Sequence, residues 1–388
     1  MSAGSVWAGK VPGVLGRRAA LLTLVVALGG CSLWSGGGSK PTPADLGANV
    51  AVLGVRQAWT ARVGASVGTP LEMNAIGNTV TAASADGVVA AIDGRTGGDV
   101  WRVNLAEPLS AGVGSDGKAA AVVTRSNAVV VLDAGRERWR QPVGAQVFTP
   151  PLVAGGRVFV LSADRTVSAF DAATGHKLWS QQRPGEALIL RQAGVLRAVG
   201  DTLVVGLSGR LVGLNPDNGT VRWEAPIASP RGTNDVERLV ELVGRTSREG
   251  DSVCARAFQA SIGCVDTARG SVMWTQPASG SEGIHGDAET LFGAESNGVV
   301  TAWRRSDGTR AWSTDRLKYR RLTAPLLLGR SVVVGDDSGL VHLLSRSDGT
   351  PLNRLATDGS GIGAAPVVAA DTLVVVTRNG AVYGFRPD

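Results

Sequence analysis

The residues of this 388-residue chain best suited to chemistry are three histidines and three cysteines. His176, His285 and His342 stand in separate parts of the chain, so none pairs with another at the spacing of a zinc site, and no metal is expected. No Gly-x-Ser-x-Gly elbow accompanies them, which removes the usual sequence sign of a Ser-His-Asp hydrolase. Asp336-Asp337-Ser338-Gly339 clusters oxygens without the length or spacing of an EF-hand loop and reads as a hairpin turn. There is no Cys-x-x-Cys-His haem motif. No catalytic residue and no cofactor are therefore assigned. Cys254 and Cys264 lie symmetrically about a turn near Gln259, which sets them opposite each other on two antiparallel strands. In an oxidising compartment they are expected to form a structural disulfide worth about 2–3 kcal/mol, the alternative being a reduced buried pair.

Cys31 calls for different chemistry. Before it stand a basic stretch ending in Arg17-Arg18, an apolar run from Ala19 to Leu28, and Gly29-Gly30. A run of about ten residues is too short to cross a bilayer core of about 30 Å as a helix, so residues 1–30 read as a signal peptide. Leu28-Gly29-Gly30-Cys31 resembles the bacterial lipobox, whose cysteine is lipidated and becomes the mature N-terminus; an ordinary secretory signal is the alternative. Ser32 after it resembles lipoproteins sent on to the outer membrane. The Gly/Ser/Pro-rich stretch that follows has no apolar period, so residues 31–51 are expected to be a lipidated cysteine on a flexible tether.

Charge points away from nucleic acid. Lys10, Arg17 and Arg18 have no acid among the first thirty residues, and subtracting these three from the formal +6 leaves +3 for residues 31–388. The local run Lys318-Tyr319-Arg320-Arg321 reads as a solvated loop ahead of an anion site.

What positions these residues is a repeat of about forty residues. Asp86-Gly-Val-Val-Ala-Ala-Ile-Asp-Gly-Arg-Thr-Gly-Gly-Asp-Val-Trp101 and Asp164-Arg-Thr-Val-Ser-Ala-Phe-Asp-Ala-Ala-Thr-Gly-His-Lys-Leu-Trp179 share a turn, a strand ending in Asp, a Thr-Gly turn and a strand near Trp. Trp139, Trp223, Trp274 and Trp312 end similar copies, and each copy also holds an earlier valine-rich strand. Four short strands per repeat are the content of a propeller blade. Hairpin turns near Gly87, Asn127, Arg165, Gly209, Ala260, Gly298, Gly339 and Gly380 imply eight blades over residues 52–388, an all-β eight-bladed β-propeller. The last repeat stops before its Trp strand, and Gln57-Ala-Trp59 can supply it, closing the ring. The tryptophans are expected to pack against the neighbouring blade and the aspartates to cap turns. The seventh repeat has Pro351-Leu352-Asn353 in place of Trp, where a smaller apolar residue is expected to fill the slot.

The pattern Asp-x-x-Thr-Gly-x-x-hydrophobic-Trp resembles the PQQ-like repeat of quinoprotein dehydrogenases, but this chain has no vicinal cysteines. With the lipobox and the chain length, it resembles the BamB family, lipoproteins of the outer-membrane β-barrel assembly (BAM) machinery. Glu186-Ala-Leu-Ile-Leu-Arg191 resembles that family's Leu-x-Leu-Arg loop, which implies that Leu188, Leu190 and Arg191 contact BamA. Asp235-Val-Glu-Arg-Leu-Val-Glu241 resembles its acidic segment and adds Glu237, Arg238 and Glu241, although Val243 stands where the family pattern has a further aspartate. The resemblance implies a non-enzymatic scaffold on the periplasmic face of the outer membrane, with BamA, other BAM subunits and nascent outer-membrane proteins as partners. A PQQ-binding dehydrogenase or ligand-binding propeller using the central channel is the competing reading.

Overall fold

The protein is described by a computed structural model covering residues 9, 41–67, 71–184, 188–230 and 239–388. Cys31, Glu237 and Arg238 lie outside the described residues. Eight four-stranded antiparallel sheets make up the architecture, each a blade, and in seven of them the strands follow one another in chain order. Blades 1 to 7 span 74–104, 109–142, 152–182, 196–226, 242–277, 284–314 and 326–356; blade 8 combines 367–387 with the N-terminal strand.

The valine-rich runs occupy the middle of each blade. Arg157–Leu161 and Thr166–Asp171 are buried along almost their whole length because both faces of a middle strand meet other blades. Such strands need continuous short apolar side chains rather than alternation. The outermost strands, such as Asp99–Asn104, alternate between half-buried and exposed residues. Val55–Arg62 pairs antiparallel with Ala381–Pro387, setting Trp59 opposite Gly384, so the two chain ends close the ring as the sequence suggests.

Each tryptophan at the repeat position forms half of a joint between blades. In five of them the indole N–H donates to a carbonyl in the next blade's turn: Trp59 to Gly94 (3.0 Å), Trp139 to Ala172 (2.9 Å), Trp179 to Pro216 (2.9 Å), Trp274 to Arg305 (2.7 Å) and Trp312 to Arg346 (2.9 Å). The glycine of that turn lies flat against the ring. A Cβ on Gly175, whose φ is +74°, would come within 2.7 Å of Trp139. Positive φ and close approach both require glycine there, which explains why Thr-Gly and Trp recur together. Asp171 fixes the same turn, its Oδ1 accepting the Ala173 and Thr174 amides at 3.0 and 2.8 Å.

Blade 7 departs from expectation. Asn353 holds the tryptophan position opposite Leu343, and the slot is filled by a polar clasp instead of a smaller apolar side chain. Asn353 donates through Nδ2 to the Leu53 carbonyl (2.6 Å) and accepts at Oδ1 from Asn49 Nδ2 (2.9 Å). Arg354 Nη2 donates to the Gly47 carbonyl (3.0 Å), and the Ala44 amide to the Lys318 carbonyl (2.9 Å). Residues 44–53, expected mostly as tether, thus form a strap along blades 6 and 7. The missing tryptophan makes room for it.

Cys254 and Cys264 are direct cross-strand partners in blade 5, and their sulfurs are bonded.

Candidate partner-binding site

In an antiparallel four-stranded blade, the end of the outermost strand, the start of the innermost strand and the hairpin turn of the two middle strands all lie on one face. The Leu188–Arg191 stretch belongs to the connection between blades 3 and 4. Its residues follow Arg183-Pro184, which end the strand Lys177–Gln182. Leu188 is 38% exposed, a high value for a leucine. Leu190 is half-buried and Arg191 exposed, its guanidinium 5.7 Å from the centre of the Phe148 ring. That cation–π contact holds the charge in place without a carboxylate. Gln192 reaches across toward blade 6 and donates from Nε2 to the Ser281 carbonyl (2.7 Å).

Beside this loop is a cleft of about 50 Å³ lined by Leu190, Phe148, Leu207, Arg165 and Glu241. The fold therefore brings Leu190 and Glu241, some fifty residues apart in sequence, to one place. Glu241 Oε1 accepts from Arg165 Nη2 (3.2 Å), and Arg165 Nε donates to Ser208 Oγ (3.1 Å). Burial pushes the Glu241 carboxyl up, and Arg165 opposes that shift. The result is an ordered carboxylate at the rim, with an arginine behind it and apolar surface beside it. Apolar surface beside ordered polar groups is the mixture found at protein–protein interfaces. Sequence reasoning placed Arg165 only as a turn residue. It has φ +64° at a position where six of the other seven repeats have glycine or asparagine, and that substitution was the available signal.

The histidines are committed elsewhere. His342 Nε2 lies 3.0 Å from Asp336 Oδ2, and both are buried. Burial alone would raise Asp336, but hydrogen bonds from His342 and the Leu340 and Ser338 amides outweigh it and hold the carboxyl below its ordinary value. Asp336 also accepts the Leu340 amide at 2.9 Å, the turn-capping role expected for this stretch. His285 accepts the Leu327 amide at Nδ1 (3.0 Å), and burial, followed by Arg245, Arg197 and Arg305, pushes it down to about 3. His176 is exposed on its turn. Among the described residues no three His, Cys, Asp or Glu side chains gather as a metal site.

Comparison with known proteins agrees with the repeat and the fold. The family profile described as outer membrane protein assembly factor BamB matches residues 85–314. The outer membrane protein assembly factor BamB of Burkholderia pseudomallei (strain K96243) is 40% identical over 366 residues, covering 94% of this chain and 96% of the relative. That of Bordetella pertussis is 38% identical over 378 residues, covering 97% and 98%. The crystal structure of BamB from Moraxella catarrhalis superposes with a TM-score of 0.78 at 25% identity, covering 86% of this chain and 99% of that one. The quinohemoprotein alcohol dehydrogenase of Comamonas testosteroni shares the fold at a TM-score of 0.67 but only 14% identity. On both sequence and structure, the chain belongs to the family of the outer membrane protein assembly factor BamB.

Proposed function

We propose that this protein is a non-enzymatic scaffold of outer-membrane protein assembly, anchored to the outer membrane through a lipidated Cys31 and facing the periplasm. It holds BamA through the connection between blades 3 and 4. The observation that carries this reading is the Leu188–Arg191 stretch itself, which presents an exposed leucine and an arginine fixed on Phe148 beside the Arg165–Glu241 pair. Two leucines and a planar guanidinium form a compact binding anchor, and the ordered surroundings lower the entropy lost on docking. By the same family resemblance, Glu237 and Arg238 are further candidates for contact with BamA.

The strap supports the anchoring side of the proposal. Chain running back from Ala44 toward Cys31 starts at the Lys318 carbonyl, in a connection on the same face as Leu188–Arg191. A protein tethered there presents its partner loop toward the machinery at the membrane. The catalytic alternative finds little support in the histidines, since His342 is tied to Asp336 and His285 to a backbone amide.

The direct test is a pull-down from detergent-solubilised membranes using the full-length protein. BamA is expected in the eluate, and its absence, combined with saturable PQQ binding and dye reduction, would replace the scaffold reading with the enzymatic one. Fatty-acid labelling tests the anchor: Cys31→Ser should abolish both label and membrane fractionation, and a variant still labelled and membrane-bound removes Cys31 from that role.

A further inference from the structure

The axis of the ring carries charges that the partner surface does not use. Arg197 of blade 4 and Arg245 of blade 5 line a cavity of about 390 Å³ walled by residues of blades 1 to 5. Arg245 reaches it through a local irregularity. Pairing of the strand Leu242–Glu249 shifts register between Val243 and Ser247, and within that bulge Arg245 adopts φ +57°. Bulges re-aim side chains, and a left-handed arginine is unfavourable unless its surroundings impose it.

Both guanidiniums are oriented by backbone. Arg245 Nη1 donates across the ring to the Pro366 carbonyl (2.7 Å), and Arg197 Nη1 donates to the Thr246 carbonyl and Oγ1 (3.2 and 3.3 Å). One bond pattern fixes each side chain and leaves further N–H groups for the cavity they line. Among the described residues no ion pair engages either of them. Glu72 is the acid that shares the cavity. Burial pulls Arg245 down to about 10; Glu72 opposes that shift and, to a lesser extent, Arg197 adds to it. Asn74 lines the same space with a buried amide oxygen that has no partner. A second cavity of about 330 Å³ shares Glu72 and carries the exposed Arg321 and Arg378 alongside Glu282, so the two cavities together are lined by four arginines and two glutamates.

We propose that Arg197 and Arg245 form an anion-binding site inside the propeller channel, taking a small molecule that bears a carboxylate or phosphate group. The anion bridges the N–H groups that the two guanidiniums leave free, forming charge-assisted hydrogen bonds, which are the stronger kind in a partly desolvated site. Asn74 meets a second polar group of the same ligand.

The test is calorimetric titration of the full-length protein with inorganic phosphate and, separately, with citrate. One-site saturable binding of at least one anion is expected. Phosphate alone assigns a phosphorylated ligand, and citrate alone a polycarboxylate. Arg197→Met and Arg245→Met should each weaken binding by about tenfold or more, the scale of a lost charged hydrogen bond. Arg310→Met, exposed on an outer strand, should bind as the wild type does. Arg197 sits in the regular strand Leu196–Val199, so its variant remains decisive if Arg245→Met does not fold. Absence of saturation by either anion, or unchanged binding in Arg197→Met, overturns the site.

Discussion

Replacing Asn353 with alanine should loosen the strap and, with it, the point at which the tether leaves the propeller. The side chain is only 7% exposed and serves three hydrogen bonds: from its Nδ2 to the Leu53 carbonyl (2.6 Å), and to its Oδ1 from Asn49 Nδ2 (2.9 Å) and the Arg354 amide (2.6 Å). A hydrogen bond contributes a net of about 0.5–1.5 kcal/mol, so the loss of three amounts to roughly 1.5–4.5 kcal/mol. Alanine also leaves a gap in a slot that tryptophan fills in other blades. Most of this cost should appear locally, because the strap can detach while the blades remain paired. Hydrogen exchange at the Leu53 amide, bonded to the Leu352 carbonyl at 3.3 Å, reads the local opening, and urea denaturation reads the global part. The expected result is faster exchange at Leu53 by at least about tenfold, the equivalent of 1.4 kcal/mol. Unchanged protection at Leu53 would refute the idea that Asn353 clasps the strap.

Other outcomes follow from the same structure. Trp139→Ala removes an indole that donates to Ala172 and packs 5.9 Å from the Phe170 ring, and should cost about 3–5 kcal/mol in urea denaturation. Reduction of Cys254–Cys264, whose separation is ten residues, should lower unfolding free energy by about 2–3 kcal/mol, with no change in Cys254→Ala/Cys264→Ala on adding reductant. Glu282 is pushed up to about 7 by burial and by Glu72, against the opposing pull of Arg321 and Arg256. A carboxyl raised in the folded state binds its proton more tightly there than in the unfolded chain, so its contribution to stability is full below about 4.5 and is lost as pH rises toward 7. The melting temperature of Glu282→Gln should therefore fall less than that of the wild type over that interval; parallel curves would contradict the assignment.

The ring was legible because its signals are local and repeated. Trp139 and Gly175 each recur at fixed places in a forty-residue pattern, and a joint built from two recurring residues announces the number of blades. The closing strand around Trp59 could be inferred because the last repeat lacked one. The strap could not, since Asn353 appears in the sequence only as a missing tryptophan, and its partners Asn49 and Leu53 are about three hundred residues away. The proposed partner surface was half legible. Leu188, Leu190, Arg191 and Glu241 came from a family resemblance, whereas Arg165, which orients Glu241, lies 76 residues from it and belongs to a turn. The channel arginines were the least visible. Arg197 and Arg245 interrupt strand patterns as isolated charges, and only the bulge before Ser247 shows why Arg245 turns toward the axis.

The central claim is that the connection between blades 3 and 4 is the point of contact with BamA. Its most direct test is the affinity of the purified protein for the periplasmic part of BamA, compared with Leu190→Ala/Arg191→Ala, with melting temperature as the control for folding. Interface anchors of this kind contribute about 2 kcal/mol or more when truncated, so the double variant should bind at least about thirtyfold more weakly while melting as the wild type does. A folded double variant that binds BamA with wild-type affinity would contradict the account.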